Sequence, residues 1–239
     1  MSGRGAVAVH PPRTPFARTV WMVLRKDLTV ETRSGEIAYT TLFFAVSCVL
    51  IFAFALVREG RAPEGGAAGI LWIAILFAAT LALGRAFERE RQAETLRALL
   101  LAPVPRPAIY VGKLLGIVAL LVATEAVLLP LVDFLFTARL FAHPFWLVGI
   151  VVTCTIGLAA VGTLFAAMLV RARSRDMLLP VLLYPIVVPV IIAGVQGTTA
   201  LLQPVFDAAV VRFWLLLLVT FDVVFVVLAL WTFEAVMSD

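Results

Sequence analysis

Residues 114–136 read LLGIVALLVATEAVLLPLVDFLF, and this long apolar run decides the class of fold. A helix rises about 1.5 Å per residue, so about 20 apolar residues cross the roughly 30 Å hydrocarbon core of a bilayer. The sequence predicts six spans of this kind, at residues 37–56, 67–83, 114–136, 145–170, 177–195 and 213–233. The runs are continuously apolar, so a barrel of alternating strands is excluded. Since backbone polar groups must be paired inside a bilayer, we expect an all-α polytopic membrane protein.

The composition of the whole chain supports the same class. Of its 239 residues, 63% are hydrophobic and 14% are charged. Soluble domains have about 45–50% apolar and about 25% charged residues, so a soluble enzyme is excluded. Cys48 and Cys154 both lie inside apolar runs, far apart in sequence. This placement indicates neither a disulfide framework nor a metal cluster.

The basic residues are distributed unevenly between the two sides of the predicted bundle. Fifteen of the 19 Lys and Arg residues precede the first span, lie between the second and third, or follow the fourth. The remaining connectors hold only Arg58, Arg61, Arg139 and Arg212. By the positive-inside rule we expect both termini in the cytoplasm. The net charge of +4 is therefore a topology signal, and we expect no nucleic-acid partner.

The segment before the first span divides into two parts. Residues 1–15 contain prolines and arginines without an apolar centre, so we expect a disordered leader rather than a signal peptide. Across residues 16–35 the apolar Phe16, Val20, Leu24 and Leu28 recur every four positions. This pattern predicts an amphipathic interfacial helix, and the alternative is an ordinary charged flank. The interfacial anchors would be Trp21 at the boundary and Arg25 and Lys26 toward anionic lipid, with Gly35 permitting the bend into the first span.

The connector between the second and third spans contains a short predicted helix at residues 94–103. Strong helix formers fill it, and Pro103 ends it. A helix of about 15 Å is too short to cross a bilayer, and its apolar stripe suits a groove on a soluble partner. The alternative is that it lies on the membrane surface. The partner-binding candidates are Glu94, Thr95, Leu96, Arg97, Leu99, Leu100 and Pro103.

Two carboxylates lie deep in the predicted spans. Glu125 is about 17 Å and Asp222 about 14 Å along its helix from the start of the span, whereas Asp133 is near the outer end. Mid-membrane carboxylates are costly unless they face protein or water, so Glu125 and Asp222 are candidate functional residues. A purely structural hydrogen-bonding role is the alternative. In the fifth span Pro180, Pro185 and Pro189 predict a kinked or broken helix.

The sequence lacks the motifs of the common catalytic sites. Gly112 and Lys113 have neither the upstream glycine nor the following hydroxyl of a phosphate-binding loop. His143 has no partner in sequence that would make a metal-ligand pattern. We therefore expect no catalytic residue, no metal site and no enzymatic activity in this chain, with any ATPase in a separate subunit.

Several segments resemble the haem exporter B (CcmB) family. They are Lys26-Asp27-Leu28 with Glu31, Arg33 and Glu36, then GILWI at 69–73, LALGRAFE at 81–88, ETLRALLLAP at 94–103, IYVGK at 109–113 and LPVLLYPIVVP at 179–189. The resemblance covers about residues 20–235 and includes the six-span layout. It includes no metal or haem ligand motif, so none is carried over.

The resemblance implies a single permease domain over residues 16–239, with the fold of the type-2 ABC exporters, in a bacterial inner membrane. Such a permease would take part in haem export or haem delivery for c-type cytochrome biogenesis. The implied partners are two copies of an ATPase subunit like CcmA, a second permease copy, membrane proteins like CcmC and CcmD, and the haem chaperone CcmE. ATP and Mg²⁺ would bind the ATPase, this chain would hold no cofactor, and haem would be the transported or handled ligand.

By the same resemblance, residues 94–103 would be the coupling helix and residues 16–35 the elbow helix. Two other functions stay open. One is a scaffold that assembles haem-handling proteins without transport, and the other is a type-2 permease for a lipid or drug.

Overall fold

Seven α-helices make up almost all of the part of the chain that the structure describes. The computed structural model describes residues 15–56, 65–92, 104–169 and 175–236. The helices are α1 (Phe16–Ser34), α2 (Glu36–Leu56), α3 (Gly66–Gln92), α4 (Arg106–Phe136), α5 (Pro144–Met168), α6 (Arg175–Leu202) and α7 (Ala208–Val236). A short 3-10 helix, Leu140–Ala142, precedes α5. Over these ranges the chain forms no strand, which confirms the all-α prediction.

Helices α2 to α7 are each long and apolar enough to cross a bilayer, which confirms the prediction of six spans. Four of them extend several residues beyond the predicted runs: α3 and α4, and also α6, which continues past Val195 to Leu202, and α7, which begins at Ala208 rather than Phe213. Helix α3 continues past Leu83 to Gln92, and α4 begins at Arg106 rather than Leu114. In α3 and α4 the apolar run stops at the first charged residues, whereas the helix itself continues through charged turns.

Helix α6 is continuous across Pro180, Pro185 and Pro189, so of the two predicted alternatives, a kinked or a broken helix, the broken one does not occur. Each proline removes one backbone donor, and a membrane helix that packs on its neighbours tolerates this loss. The backbone of α6 therefore spans as one element.

Helix α5 is the centre of the bundle. It packs on α3, α4, α6 and α7, and it is the most enclosed of the spans. Its small residues allow this approach: the side chain of Leu83 from α3 lies directly against Gly162, and Asp222 from α7 lies against Gly157. Larger residues at these two positions would separate the helices.

Helix α1 lies against α4 and is separated from α2 by a tight turn at Gly35. Gly35 adopts the left-handed conformation with φ of 64°, and its N–H donates to the Glu31 carbonyl oxygen (2.6 Å). The Tyr39 ring occupies the space that a Cβ at Gly35 would need. Both features require glycine, and they allow α1 to leave the direction of the first span.

Candidate functional site

The predicted coupling segment, residues 94–103, lies outside the described residues, and so do its candidate partner-binding side chains. The helices on either side of it are described, since α3 ends at Gln92 and α4 begins at Arg106. The last turns of α3 and the first turns of α4 are therefore the two stems of this connector.

Four charged side chains tie α1 to both stems. We call this cluster the ionic joint, and it consists of Lys26 and Asp27 from α1, Glu90 from α3 and Lys113 from α4. Lys113 Nζ donates to Asp27 Oδ2 (2.7 Å) and to Glu90 Oε1 (2.6 Å). Lys26 Nζ donates to the same Glu90 oxygen (2.5 Å) and lies 3.0 Å from Asp27 Oδ1. Two cations and two anions thus form one closed cluster between three helices.

Two members of the ionic joint are nearly enclosed, whereas the side chains of Lys26 and Asp27 are 34% and 24% exposed. The side chains of Glu90 and Lys113 are only 6% and 7% exposed. Burial opposes the charge of Lys26, but the carboxylates of Glu90 and Asp27 outweigh it and raise the pKa of its ammonium. The contribution of Lys26 to stability is therefore complete below pH of about 10.4 and is lost only as pH rises through the elevated folded-state pKa.

A second ion pair lies beside the joint. Arg89 Nη1 donates to Glu31 Oε2 (2.9 Å), and Nη2 donates to the Ser34 hydroxyl (3.4 Å). The other Glu31 oxygen accepts a hydrogen bond from the N–H of Ala38 (2.7 Å), in the first turn of α2. Glu31 therefore connects the end of α3, the end of α1 and the start of α2.

The predicted interfacial residues of α1 lie in different surroundings. Trp21 is 61% exposed, and Arg25 is exposed as well, so both are free to meet lipid. Lys26 instead belongs to the ionic joint. The face of α1 that packs on the protein contains Thr19 and Val23, and Val23 lies directly against Gly112 of α4.

The two intramembrane carboxylates are buried, with Glu125 2% and Asp222 8% exposed. The hydroxyl of Thr155 donates to Glu125 Oε1 (2.6 Å), and Asp222 lies against Gly157. Thr155 and Gly157 are two residues apart on α5, so they face different directions and the carboxylates reach α5 from different sides. Within the described residues, Glu125 Oε2 and Asp222 Oδ1 have no hydrogen-bond partner.

Asp133 and His143, which the sequence analysis also considered, contact residues of nearby turns. Asp133 Oδ1 accepts a hydrogen bond from the N–H of Leu140 (2.6 Å), which holds the turn after α4. His143 stacks on Phe206 with ring centroids 4.0 Å apart. In the described part of the chain, no group of three or more His, Cys, Asp or Glu residues is arranged to hold a metal ion.

Sequence reasoning missed the ionic joint. It placed Lys26 at the lipid surface and assigned Lys113 no contact with another charged residue. The contacts join residues 64 and 86 positions apart, and no periodicity relates them. The available indication was that Glu90 and Lys113 both lie in the charged connector between the second and third predicted spans.

Comparison with known proteins gives one consistent family. A family model described as "CcmB protein" matches residues 18–238. "Heme exporter protein B" of Paracoccus denitrificans is 31% identical over 184 residues, which is 73% of this chain and 80% of that protein. The protein of the same name from Rhodobacter capsulatus is 31% identical over 182 residues, covering 73% and 79%. That from Pseudomonas aeruginosa is 24% identical over 182 residues, covering 76% and 81%. The match to the family model runs from α1 through α7 and includes the ionic joint.

Proposed function

This chain belongs to the CcmB protein family, and on that basis we propose that it is the membrane subunit of an ABC transporter for haem export or haem delivery in c-type cytochrome biogenesis. The relatives' name, "Heme exporter protein B", supports the haem assignment. The sequence carries no phosphate-binding loop, so ATP and Mg²⁺ bind a separate ATPase subunit like CcmA. Haem is the transported or handled ligand, and the chain itself holds no cofactor.

The observation that carries the mechanical part of the proposal is the ionic joint. ATP-driven movement of the partner reaches the connector at residues 94–103, where Leu96, Leu99 and Leu100 contact its groove. From there it passes into the stems, and Glu90 and Lys113 transfer it to α1 as well as to α3 and α4. A closed ionic cluster holds its geometry because each buried charge requires its partners. The three helices therefore move together rather than independently.

Inside the bilayer, α5 receives this movement from its neighbours. It touches α3 and α4, which continue from the connector, and it contacts both buried carboxylates. Glu125 and Asp222 each have one carboxylate oxygen without a partner in the described residues. We assign them a role in the rearrangement of the bundle, where a change in helix packing supplies these oxygens with new partners.

The complex that we propose contains two copies of this chain on two copies of the ATPase, with CcmC-like and CcmD-like membrane proteins and the CcmE-like chaperone. It lies in a bacterial inner membrane with both termini of this chain in the cytoplasm. The positive charge of the segments before α2, between α3 and α4, and between α5 and α6 supports this orientation.

Co-purification with a coupled ATPase measurement tests the proposal. The tagged chain, extracted in mild detergent, is expected to bring down an ATP-binding subunit and a haem-handling membrane protein. Leu99→Asp is expected to abolish the effect of the membrane subunit on ATPase rate, because a charge enters the apolar contact. Leu101→Asp, outside the predicted stripe, is the matched control and should retain it. Normal coupling in Leu99→Asp would refute the docking role of residues 94–103.

The same preparation separates the two alternatives. A scaffold would bring down the haem-handling proteins but show no change in α5 accessibility when ATP binds. A lipid or drug permease would bring down an ATPase without haem-handling partners. Either result would overturn the proposed function.

A further inference from the structure

A crevice of about 540 Å³ opens beside the ionic joint, between the second half of α1, the start of α2 and the face of α4. This volume lies in the range of small-molecule sites, about 300–1,000 Å³. One end of the crevice is charged and the other is apolar. Tyr39 on its rim is largely exposed, so the crevice is open on the side where the bilayer lies.

The apolar end follows α4 into the membrane. Its walls include Ile37, Ile117, Ala119, Leu120 and Ala123. From Lys113 to Ala123 the helix rises about 15 Å, which is about half the hydrocarbon thickness. The crevice therefore has the depth of a single leaflet, from the level of the charged joint toward the midplane.

The charged end has hydrogen-bonding capacity left over. Lysine has three N–H donors and arginine five. In the described part of the chain, the ammonium of Lys26 contacts Glu90 and Asp27, and Arg89 donates to Glu31 and Ser34, so both retain donors. Their side chains are 34% and 29% exposed, which leaves them accessible from the crevice. Glu90, which is 5% exposed and lines the same end, has an Oε2 atom without a partner among the described residues; this atom is itself buried, so a ligand donor reaches it when the Glu90 carboxylate turns toward the crevice.

We propose that this crevice binds one phospholipid of the surrounding leaflet, with a zwitterionic headgroup that carries a primary amine. Its phosphate accepts hydrogen bonds from the remaining N–H groups of Lys26 and Arg89, and its ammonium donates a hydrogen bond to Glu90 Oε2. One acyl chain lies along α4. The ligand is a structural lipid that fills the space between the elbow helix and the bundle. The proposal requires only that the chain is embedded in a membrane and is independent of what is transported.

The balance of charges favours this headgroup over an anionic one. The crevice is lined by three cations, Lys26, Arg89 and Lys113, and by three anions, Asp27, Glu31 and Glu90. An anionic headgroup would bring a net charge to a neutral wall and leave the Glu90 oxygen unsatisfied. A quaternary amine has no N–H to donate to it. A primary amine beside a phosphate matches both kinds of free group.

Native mass spectrometry of the full chain in detergent tests the proposal. The probes are synthetic phosphatidylethanolamine, phosphatidylcholine and phosphatidylglycerol with identical acyl chains. We expect one phosphatidylethanolamine to be retained at concentrations at least tenfold lower than the other two. Ala123→Phe should weaken this retention by tenfold or more, because the ring fills the apolar end. Ala126→Phe is the matched control, since Ala126 is also exposed on α4 but does not line the crevice.

The outcomes separate cleanly. Tenfold headgroup selectivity that is lost in Ala123→Phe and kept in Ala126→Phe supports the site. Equal retention of the three lipids by the wild-type chain would overturn the headgroup recognition. Equal lipid retention by the two phenylalanine variants would overturn the placement of the lipid in this crevice. Both substitutions are at exposed positions, so neither outcome depends on a disrupted core.

Discussion

Lys113 is the residue on which the ionic joint depends. It is nearly enclosed and is held by Asp27 and Glu90. We expect Lys113→Met to lower the free energy of unfolding by about 3 kcal/mol, because only the Lys26 ammonium then remains beside the two carboxylates, which leaves one negative charge of the cluster uncompensated. Arg212→Met is the control, since Arg212 is an exposed cation at the other end of the bundle and should change stability by less than about 0.5 kcal/mol. Thermal unfolding in detergent compares them, and equal losses would contradict a special role for Lys113.

Gly194 tests the packing of the bundle core. A Cβ at this position would lie 2.9 Å from the Trp72 ring and 3.0 Å from the Cys154 sulfur. The Trp72 side chain cannot move aside easily, because it is fully buried and its Nε1 donates a hydrogen bond to the Thr198 hydroxyl (2.9 Å). We expect Gly194→Ala to destabilise the fold by about 1–3 kcal/mol through overpacking.

The control for Gly194→Ala is Gly69→Ala on α3. Nothing lies within 4 Å of a Cβ built at Gly69, so this substitution should be neutral or stabilise the helix by up to about 1 kcal/mol. If both alanine variants melt at the wild-type temperature in detergent, the result would contradict the close packing of α6 against Trp72.

Glu125→Gln separates structure from function at the bilayer centre. The amide keeps an acceptor for the Thr155 hydroxyl and removes a carboxylate whose second oxygen has no partner in the described residues. We expect the variant to unfold within about 1 kcal/mol of the wild type while its ATP-dependent activity in the complex falls. Unchanged activity at normal expression would leave Glu125 with a structural role only.

At the scale of elements, the attachment of α1 depends on close contact with α4. A Cβ at Gly112 would lie 2.7 Å from the Val23 Cβ, whereas one at Gly116 would lie 3.5 Å from Asp27 Oδ2. We expect Gly112→Ala to displace α1 and to speed its amide hydrogen exchange about tenfold, which corresponds to about 1.4 kcal/mol. Gly116→Ala, one turn further along the same face of α4, should exchange like the wild type. Identical exchange of residues 16–34 in the two variants would exclude this packing.

The elements themselves were largely predictable, and their mutual contacts were not. Apolar length identifies α2 to α7, because a bilayer leaves a long apolar run few alternatives to a helix. Period-four spacing identified α1, but its packing face contains Thr19 and Val23 rather than the apolar stripe that predicted it. Only the position of α4 decides which face of α1 is covered, and sequence periodicity contains no information about that position.

The same holds for the candidate site: some of its residues could be predicted from the sequence, and their contacts could not. Glu125 and Asp222 were identified from sequence, because a carboxylate in an apolar run is conspicuous. Their contacts with Thr155 and Gly157 depend on how α4 and α7 approach α5. The ionic joint was missed entirely, since its members are ordinary charges at helix ends until three helices bring them together.

At the scale of the whole molecule, the distribution of charge makes a prediction about sidedness. Val205 lies between α6 and α7, and Arg33 lies at the end of α1, so the order of the six spans places them on opposite sides of the membrane. Both side chains are exposed. In a chain whose two native cysteines are replaced by serine, Val205→Cys should react with a membrane-impermeant maleimide in intact spheroplasts. Arg33→Cys should react only after the membrane is opened, because the positive-inside rule predicts a cytoplasmic location for the segments that hold fifteen of the 19 basic residues. Labelling in the reverse pattern would place the ionic joint and residues 94–103 on the outer face, where no ATPase subunit reaches them. The same two cysteines therefore test the orientation and the precondition for coupling to ATP.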